Sequence, residues 1–334
     1  MKALRYSTTG IKLVDAPRPI IANDDDVIVE IAATGICGTD VQILLGQLDA
    51  NEGVILGHES SGVLIAVGSA VDNLEVDDRV VINPTYYCTE CRQCRRGYVN
   101  YCEGKLRGEA GVSTDGMFAE FYRSSSRFVH RIPDAISFAS ATLTEPLACV
   151  LTGLARTRIQ IGDRVLVLGA GPIGLLTAVA CEARGATVEV VESDPQRSEL
   201  AARILDASVV TSVDSTTAPM VELAVDTVGR CVDSLLPRID RGGQILLLGI
   251  ARGYRASIPL AQLVERGIDL VASCDTAGSY PAALDLLASE PRSRRIVTAE
   301  FRLADFEAAL ISLGVDYRAR TRGNSSQAKV VLVP

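Results

Sequence analysis

Four cysteines lie close together in one short stretch of the sequence. Cys88, Cys91, Cys94 and Cys102 follow the spacing C-x2-C-x2-C-x7-C. A loop of this kind can wrap four thiolates around a tetrahedral Zn(II), and four protein ligands leave no position open for a substrate. The spacing therefore predicts a structural zinc site. An iron–sulfur cluster also takes four thiolates, and four unrelated buried cysteines are the simplest alternative.

A second set of metal-ligand residue types is scattered along the chain. Cys37 lies in "GICGTD", His58 and Glu59 lie in "GHES", and Glu145 lies in "TEPLA". Thiolate, imidazole and carboxylate all bind zinc, and three such ligands leave a fourth position for a substrate. Taken singly, Cys37 is equally well explained as a small core residue, and His58 as a hydrogen-bonded turn residue. The residues alone leave this catalytic site open.

A glycine-rich turn follows the apolar run "VLVL". Gly169, Gly171 and Gly174 form a G-x-G-x-x-G pattern, with Pro172 and Ile173 inside it, at the start of a helical segment. Glycine lets the backbone turn tightly and approach a pyrophosphate, which binds at the helix N-terminus. The pattern predicts dinucleotide binding, and a turn without a ligand is the alternative.

The next strand ends at an acidic residue, Glu192. A carboxylate there accepts hydrogen bonds from ribose hydroxyls and repels a 2′-phosphate, which favours NAD over NADP. Asp194 is a second candidate for this role, whereas the basic side chain of Arg197 keeps NADP open as the less favoured cofactor. Thr227 and Leu248 follow later strands, whose carboxyl ends line the cofactor crevice in such sheets.

The elements that must position these residues divide the chain in two. Residues 1 to about 148 contain short strand-like runs, such as "DDVIVEIAATGI", "SGVLIAVG" and "DRVVI", separated by turns. From residue 150, strands and helices alternate, which predicts a doubly wound parallel sheet. The tail returns to helices ("PAALDLLASE", "LADFEAALISL") and a last strand, "KVVLVP", with "RTRGNSSQ" as an exposed loop. We therefore predict one domain over residues 1–149 and 276–334, and a second over 150–275.

The composition and net charge argue against some classes of function. The 334 residues are 48% hydrophobic without any Trp, so the cores must consist of aliphatic side chains, as in parallel sheets. The net charge of -8 argues against nucleic acid as a partner. Glycines and a proline interrupt the longest apolar stretch, which argues against a membrane span. Nine cysteines without a secretion signal predict a reducing compartment, the cytoplasm.

These motifs also occur together in a known order. "GICGTD", "GHE", the four-cysteine loop, "EPLA" and "GAGPIG" follow one another as in medium-chain zinc alcohol dehydrogenases. The chain resembles the polyol, sorbitol and threonine dehydrogenase branch over its whole length. The resemblance implies a GroES-like, β-rich catalytic domain and a Rossmann domain, with the active site in the cleft between them. It also implies that Cys37 and His58 bind a catalytic zinc, and that Glu59 and Glu145 are ligands or lie immediately behind the ligands.

The resemblance further implies a reaction. Zinc lowers the pKa of a bound secondary alcohol, Thr39 accepts the proton and passes it on, and hydride moves to NAD. Family members commonly carry His where this chain has Gln42, and Gln cannot take up a proton near neutral pH. The proton must then leave through the cofactor ribose or through water.

The expected substrates are an alcohol and its ketone, in the class of polyols, sugars or cyclitols. Two zinc ions per chain are expected, together with a homodimer or homotetramer formed through an edge strand near residues 268–274. The alternative function is a non-catalytic NAD-binding or NAD-sensing protein of the same fold. A zinc-free reductase of the same superfamily is disfavoured, because those enzymes lack both cysteine sets.

Overall fold

The chain folds into two compact units. The computed structural model describes residues 1–105, 108–217 and 220–334. The first unit consists of Met1–Glu145, Tyr280–Ala288 and Val297–Pro334. The second unit consists of Pro146–Ser279 and Ser289–Ile296. The finer domain boundaries given above stay a prediction.

Strands and short helices alternate through the described chain. The strands are β1 (Lys2–Ser7), β2 (Gly10–Asp15), β3 (Asp26–Gly35), β4 (Glu59–Val67), β5 (Arg79–Ile82), β6 (Phe121–Ser125), β7 (Val129–Arg131), β8 (Arg164–Leu168), β9 (Thr187–Val191), β10 (Val209–Val210), β11 (Val221–Asp226), β12 (Ile239–Leu247), β13 (Asp269–Ala272), β14 (Val297–Arg302), β15 (Val315–Asp316), β16 (Thr321–Arg322) and β17 (Lys329–Val333). The helices are α1 (Gly38–Leu44), α2 (Arg92–Arg95), α3 (Phe138–Ala141), α4 (Thr144–Leu154), α5 (Pro172–Glu182), α6 (Pro195–Leu205), α7 (Val232–Leu235), α8 (Leu260–Arg266), α9 (Tyr280–Ser289), α10 (Pro291–Arg294) and α11 (Phe306–Ser312).

A mixed sheet forms the centre of the first unit. Its strand order is β14-β17-β3-β4-β5-β7, and β6 also pairs with β3. The β14–β17 pair is parallel, whereas the other pairs are antiparallel. Val27, Val29 and Ile31 alternate along β3 and pack with Leu64 and Val80 in one apolar cluster, as the two-residue period of a strand requires. The β-rich character predicted for this part of the chain is confirmed.

The second unit contains the parallel sheet predicted from the alternating pattern. Its strand order is β10-β9-β8-β11-β12-β13, and all of its pairs are parallel. Four strand ends are in register, because Leu168 pairs with Val191 and Asp226, and Asp226 also pairs with Leu247. The residues that follow these four strands therefore start from one edge of the sheet. This order, which turns back at β8, is that of a doubly wound fold.

Two details of the tail differ from the sequence prediction. The segment "VTAEFR" between the predicted helices is the strand β14, which pairs in parallel with β17. Two residues of the predicted loop "RTRGNSSQ" form β16, which pairs with β15. Apolar and polar residues alternate in "VTAEFR", which is itself a strand signal, whereas the two residues of β16 are too few to show a period. Among the described residues, no helix is long and apolar enough to cross a membrane.

Candidate functional site

Three of the predicted zinc ligands meet in the first unit. Antiparallel pairing of β3 with β4 places Gly35 opposite Glu59. Cys37 follows β3 and caps the N-terminus of α1, while His58 immediately precedes β4. The ligand atoms of Cys37, His58 and Glu59 lie within 4.8 Å of one another. The ladder between two neighbouring strands thus assembles residues that are separated in sequence.

The burial and the donor atoms of this cluster suit a metal ion. His58 and Glu59 are buried, and among the described residues Oε1 of Glu59 has no hydrogen-bond partner. A buried carboxylate oxygen without a partner is costly. Thiolate, imidazole and carboxylate together form a ligand set of the type found in catalytic zinc sites, which keep an open position. The donor chemistry and the orphaned oxygen therefore fit Zn(II).

Asp40 is a buried carboxylate that lies next to Cys37 and His58. It is fully buried, and its Oδ2 accepts a hydrogen bond from the backbone N–H of Cys37 at 2.9 Å. Its Oδ1 accepts from the N–H of Gly57 at 3.2 Å and lies 3.7 Å from Nδ1 of His58. This separation is longer than a hydrogen bond, and Nδ1 has no hydrogen-bond partner in the described chain, so Asp40 acts on His58 through its charge. Sequence analysis missed this role, although Asp40 is part of the "GICGTD" motif.

Lys329 is the second supporting residue that sequence analysis missed. It is 2% exposed at the start of β17, and its Nζ contacts Oε2 of Glu59 and donates to the carbonyl oxygen of Ile36 at 3.1 Å. Burial alone would lower the pKa of Lys329, but the charges of Glu59 and Cys37 outweigh it and raise this pKa. Lys329 is therefore a buried cation beside the predicted ligands. A lysine opening an otherwise apolar strand was the only signal in the sequence.

The cluster strongly favours positive charge. Burial alone would lower the pKa of His58, but the negative charges around it, those of Asp40 and Cys37 first, hold this pKa well above its usual value. Burial in turn raises the pKa of Asp40. A site that stabilises a proton on imidazole so strongly is an environment in which a cation gains Coulomb energy.

The other predicted catalytic residues lie close to the cluster or on its helix. Glu145 is half-buried on α4, and its charge acts on both His58 and Lys329, but it lies outside the three-residue ligand cluster of the described residues. Thr39 is half-buried in the first turn of α1, directly after the cap formed by Cys37. The structure therefore brings Glu59, rather than Glu145, within ligand distance of Cys37 and His58.

The four predicted structural ligands also converge. Cys88, Cys91, Cys94 and Cys102 offer sulfur atoms within 4.8 Å of one another, with Sγ–Sγ distances of 3.6 Å for Cys102–Cys88 and 4.0 Å for Cys91–Cys102. Tetrahedral zinc with Zn–S bonds of about 2.3 Å places its sulfurs about 3.8 Å apart. The geometry fits a four-thiolate metal site.

Backbone N–H groups in this loop favour the thiolate form of Cys91. The N–H groups of Cys94 and Glu103 lower the pKa of Cys91 to about 6. Burial and the neighbouring thiol of Cys91 raise the pKa of Cys94 to about 12. Four adjacent thiolates repel one another, so a bound cation is needed to keep all four sulfurs deprotonated.

In the second unit, the glycine-rich turn connects β8 to α5. Gly169 has φ +95°, and a Cβ atom on Gly174 would lie 1.8 Å from the carbonyl oxygen of Gly169. Gly171 is the N-cap of α5, with Pro172 at the first turn, and a Cβ on Gly171 would meet nothing within 4 Å. The turn therefore requires two of its glycines for its own packing, whereas the space over Gly171 is open, as a pyrophosphate cradle requires.

Glu192, which follows the adjacent strand β9, accepts a hydrogen bond from the glycine turn. Its carboxylate is 4% exposed, and Oε2 accepts from the N–H of Ala170 at 3.0 Å. Oε1 accepts from the N–H of Asp194 and from the guanidinium of Arg197, both at 2.9 Å. Asp194 is the N-cap of α6 and accepts from the N–H of Arg197. Glu192, Asp194 and Arg197 thus form one hydrogen-bonded unit beside the glycine turn.

The last two predicted cofactor residues flank the same edge of the sheet. Oγ1 of Thr227 donates to the carbonyl oxygen of Leu168 at 2.6 Å, and it would contact a Cβ on Gly169 at 2.8 Å. Leu248 is half-buried, and its N–H donates to the carbonyl oxygen of Asp226 at 3.0 Å. Thr227 therefore lies against the glycine turn, and Leu248 follows a neighbouring strand of the same sheet.

Comparison with known proteins identifies the family. Residues 23–134 match the family of the alcohol dehydrogenase GroES-like domain, and residues 172–289 match the zinc-binding dehydrogenase family. The chain is 30% identical to sorbitol dehydrogenase of Bacillus subtilis over 325 residues, covering 92% of each chain. The chain belongs to the zinc-dependent medium-chain alcohol and polyol dehydrogenase family.

Further relatives of this dehydrogenase agree with that placement. It is 30% identical to L-arabinitol 4-dehydrogenase of Aureobasidium melanogenum, covering 84% of this chain and 81% of the relative. Among solved structures, alcohol dehydrogenase from Thermus sp. ATN1 has a TM-score of 0.87 at 25% identity, covering 100% of this chain and 99% of the other. The predicted pairing of a GroES-like domain with a Rossmann sheet is thereby confirmed.

Proposed function

We propose that this dehydrogenase oxidises a secondary hydroxyl group of a polyol, sugar or cyclitol with NAD as the hydride acceptor, and reduces the ketone in the reverse direction. The observation that carries this proposal is the cluster of half-buried Cys37 with buried His58 and Glu59. The names of the sorbitol and L-arabinitol dehydrogenases support a polyol as the substrate class.

We also propose that each chain binds two zinc ions. Cys37, His58 and Glu59 would hold the catalytic ion, with the charge of Glu145 acting on the site, and the four-cysteine loop would hold the structural ion. The catalytic zinc supplies Lewis-acid chemistry, which lowers the pKa of a bound hydroxyl group. Asp40 holds the backbone N–H groups of Cys37 and Gly57, the residue before His58, and places a negative charge near the ring of His58.

We assign the hydroxyl proton to Thr39. This residue follows Cys37 in the first turn of α1, and its hydroxyl group can accept one proton while donating another. Gln42, one helical turn further, can hydrogen-bond but cannot become charged. The proton therefore leaves Thr39 through water or the cofactor ribose, and Gln42 does not store it.

NAD is the proposed cofactor, with NADP as the less favoured one. The glycine turn of Gly169, Gly171 and Gly174 would receive the pyrophosphate at the N-terminus of α5. The buried carboxylate of Glu192 would accept the ribose hydroxyls and repel a 2′-phosphate. Arg197 neutralises part of that charge, which supports a preference for NAD and not an absolute exclusion of NADP.

We further propose a homo-oligomer that forms through β13. This strand lies at the edge of the parallel sheet, and Leu270 on it is 37% exposed. The preceding helix α8 exposes Leu260 and Val264 by 71% and 82%. An apolar edge strand is a template for pairing with another chain. Val264→Glu should lower the mass measured by light scattering, and an unchanged mass would argue against this interface.

The function is tested by turnover and metal content together. Purified protein is assayed against sorbitol, other polyols, amino sugars and cyclitols with NAD or NADP, by the absorbance of the reduced cofactor. We expect oxidation of at least one polyol, a higher kcat/KM with NAD, and two zinc ions per chain. Protein that holds both zinc ions and turns over none of these alcohols would instead support the non-catalytic, NAD-binding alternative.

A further inference from the structure

The carboxylate of Glu59 is shared between two partners. One oxygen, Oε2, pairs with the ammonium group of Lys329. The other, Oε1, is buried and has no hydrogen-bond partner in the described chain. Glu59 therefore pairs with a protein cation through one oxygen and keeps its other oxygen without a partner, and its carboxylate lies within 4.8 Å of the ligand atoms of Cys37 and His58.

The absence of a side chain at Gly35 leaves space for the pair of Glu59 and Lys329. A Cβ atom on Gly35 would lie 2.3 Å from Oε2 of Glu59 and 3.4 Å from Cδ of Lys329. Gly35 has no positive φ, so the space for the two side chains, and not the backbone conformation, explains the glycine. Lys329 is anchored separately by the carbonyl oxygen of Ile36, the residue before Cys37.

Lys329 and a divalent ion act on the same carboxylate. Both are cations, both are attracted by Glu59, and two cations this close to one carboxylate repel each other. We propose that Lys329 competes with the metal ion for Glu59, and so keeps Glu59 a weak ligand that a substrate oxygen can replace. This inference rests on the proposed zinc-dependent function.

Lys329 also stabilises Glu59 when the carboxylate leaves the metal. A buried carboxylate without a counter-cation is strongly destabilising. With Lys329 beside it, Glu59 remains paired whether or not it binds the ion, so ligand exchange leaves no isolated buried charge. Lys329 is in this sense a positioning residue, because it acts on the reaction only through Glu59.

The test compares zinc affinity in two matched variants. Lys329→Gln removes the charge but keeps an amide donor for Ile36 and Glu59. Lys2→Gln removes the same charge from an exposed pair with Asp15 in the same unit. Zinc affinity is measured by competition with a chromophoric chelator, and the weaker of the two sites is assigned with Cys37→Ser, which removes one ligand of the catalytic site.

We expect Lys329→Gln to bind zinc at the Cys37 site roughly 10- to 100-fold more tightly, because the repulsion between the ammonium group and the ion is lost. Lys2→Gln should leave the affinity unchanged. Lys329→Met, which also removes the donor, should tighten binding in the same direction. Tighter zinc should be accompanied by a lower kcat, because Glu59 then yields its place less readily.

Two results would overturn the inference. Unchanged zinc affinity in both Lys329 variants would make Lys329 a structural ion-pair partner only. Weaker affinity would mean that Lys329 orients Glu59 towards the metal and does not compete with it. Failure of the proposed function is a separate outcome, because the native chain itself would then hold no zinc at Cys37, or would turn over no alcohol with both sites filled.

Discussion

Replacing Gly171 by alanine separates cofactor binding from folding. Gly171 has φ -73° and ψ 178° at the N-cap of α5, a conformation that alanine adopts freely. A Cβ atom there would meet nothing within 4 Å. The protein alone should therefore tolerate the methyl group, whereas a pyrophosphate at the helix N-terminus would contact it.

The expected magnitudes follow from these contacts. Alanine reduces the entropy of the unfolded chain but is a poorer N-cap than glycine, so stability should change by no more than about 1 kcal/mol. A phosphate displaced by the methyl group loses at least one charge-assisted hydrogen bond, worth about 1.5–3 kcal/mol. The dissociation constant of NAD should then rise about 10- to 100-fold.

Calorimetric titration of NAD and thermal unfolding of the free protein measure the two effects. Gly174→Ala is the contrasting variant, because its Cβ would lie 1.8 Å from the carbonyl oxygen of Gly169. That variant should lose stability even without cofactor. A Gly171→Ala protein that is folded and binds NAD as tightly as the native chain would refute the placement of the pyrophosphate over Gly171.

Three further changes test the four-cysteine loop, the turn that precedes β3 and the proton route. Cys91→Ser should remove one zinc ion per chain and lower the unfolding temperature by roughly 3 °C or more, since a loss of about 2 kcal/mol has that effect in a chain of this size; a full zinc content would contradict the four-thiolate site. Asp26→Asn should destabilise the protein at neutral pH, because Asp26 accepts hydrogen bonds from the N–H groups of Ala22 and Asn23, which outweigh burial and lower its pKa. This stabilisation is complete above the usual carboxyl pKa of about 3.9 and is lost as the pH falls through the lowered value, so the difference in unfolding temperature should shrink only below about pH 4. Gln42→His should change the pH profile of kcat more than KM, and an unchanged profile would argue against a proton relay through this position.

The parallel sheet and the glycine-rich turn could be predicted because their signals are local. The run "VLVLGAGPIG" combines a buried strand, a turn that needs glycine and a helix start within a few residues. The register of β8, β9, β11 and β12 then places Glu192, Thr227 and Leu248 after neighbouring strand ends. Parallel strands end at one edge of their sheet, so the position of a residue after its strand was sufficient.

The cluster of Cys37, His58 and Glu59 was only partly predictable, because the residues that contact it come from distant segments. Cys37 and His58 carry recognisable ligand chemistry, but neither residue shows in the sequence that the β3–β4 ladder brings them together. Lys329 reaches Glu59 across 270 residues, and nothing in "AKVVLVP" distinguishes a buried cation from a strand-end lysine. The choice between Glu59 and Glu145 likewise depends on sheet pairing, which a single sequence does not reveal.

The central claim is that Cys37, His58 and Glu59 surround one metal ion. Anomalous diffraction at the zinc edge, from crystals of the native protein, tests it most directly. We expect two peaks per chain, one within the four-cysteine loop and one about 2.3 Å from the sulfur of Cys37 and about 2.0–2.1 Å from a ring nitrogen of His58. A single peak in the four-cysteine loop, with Cys37 and His58 apart and no ion between them in an active enzyme, would contradict the account.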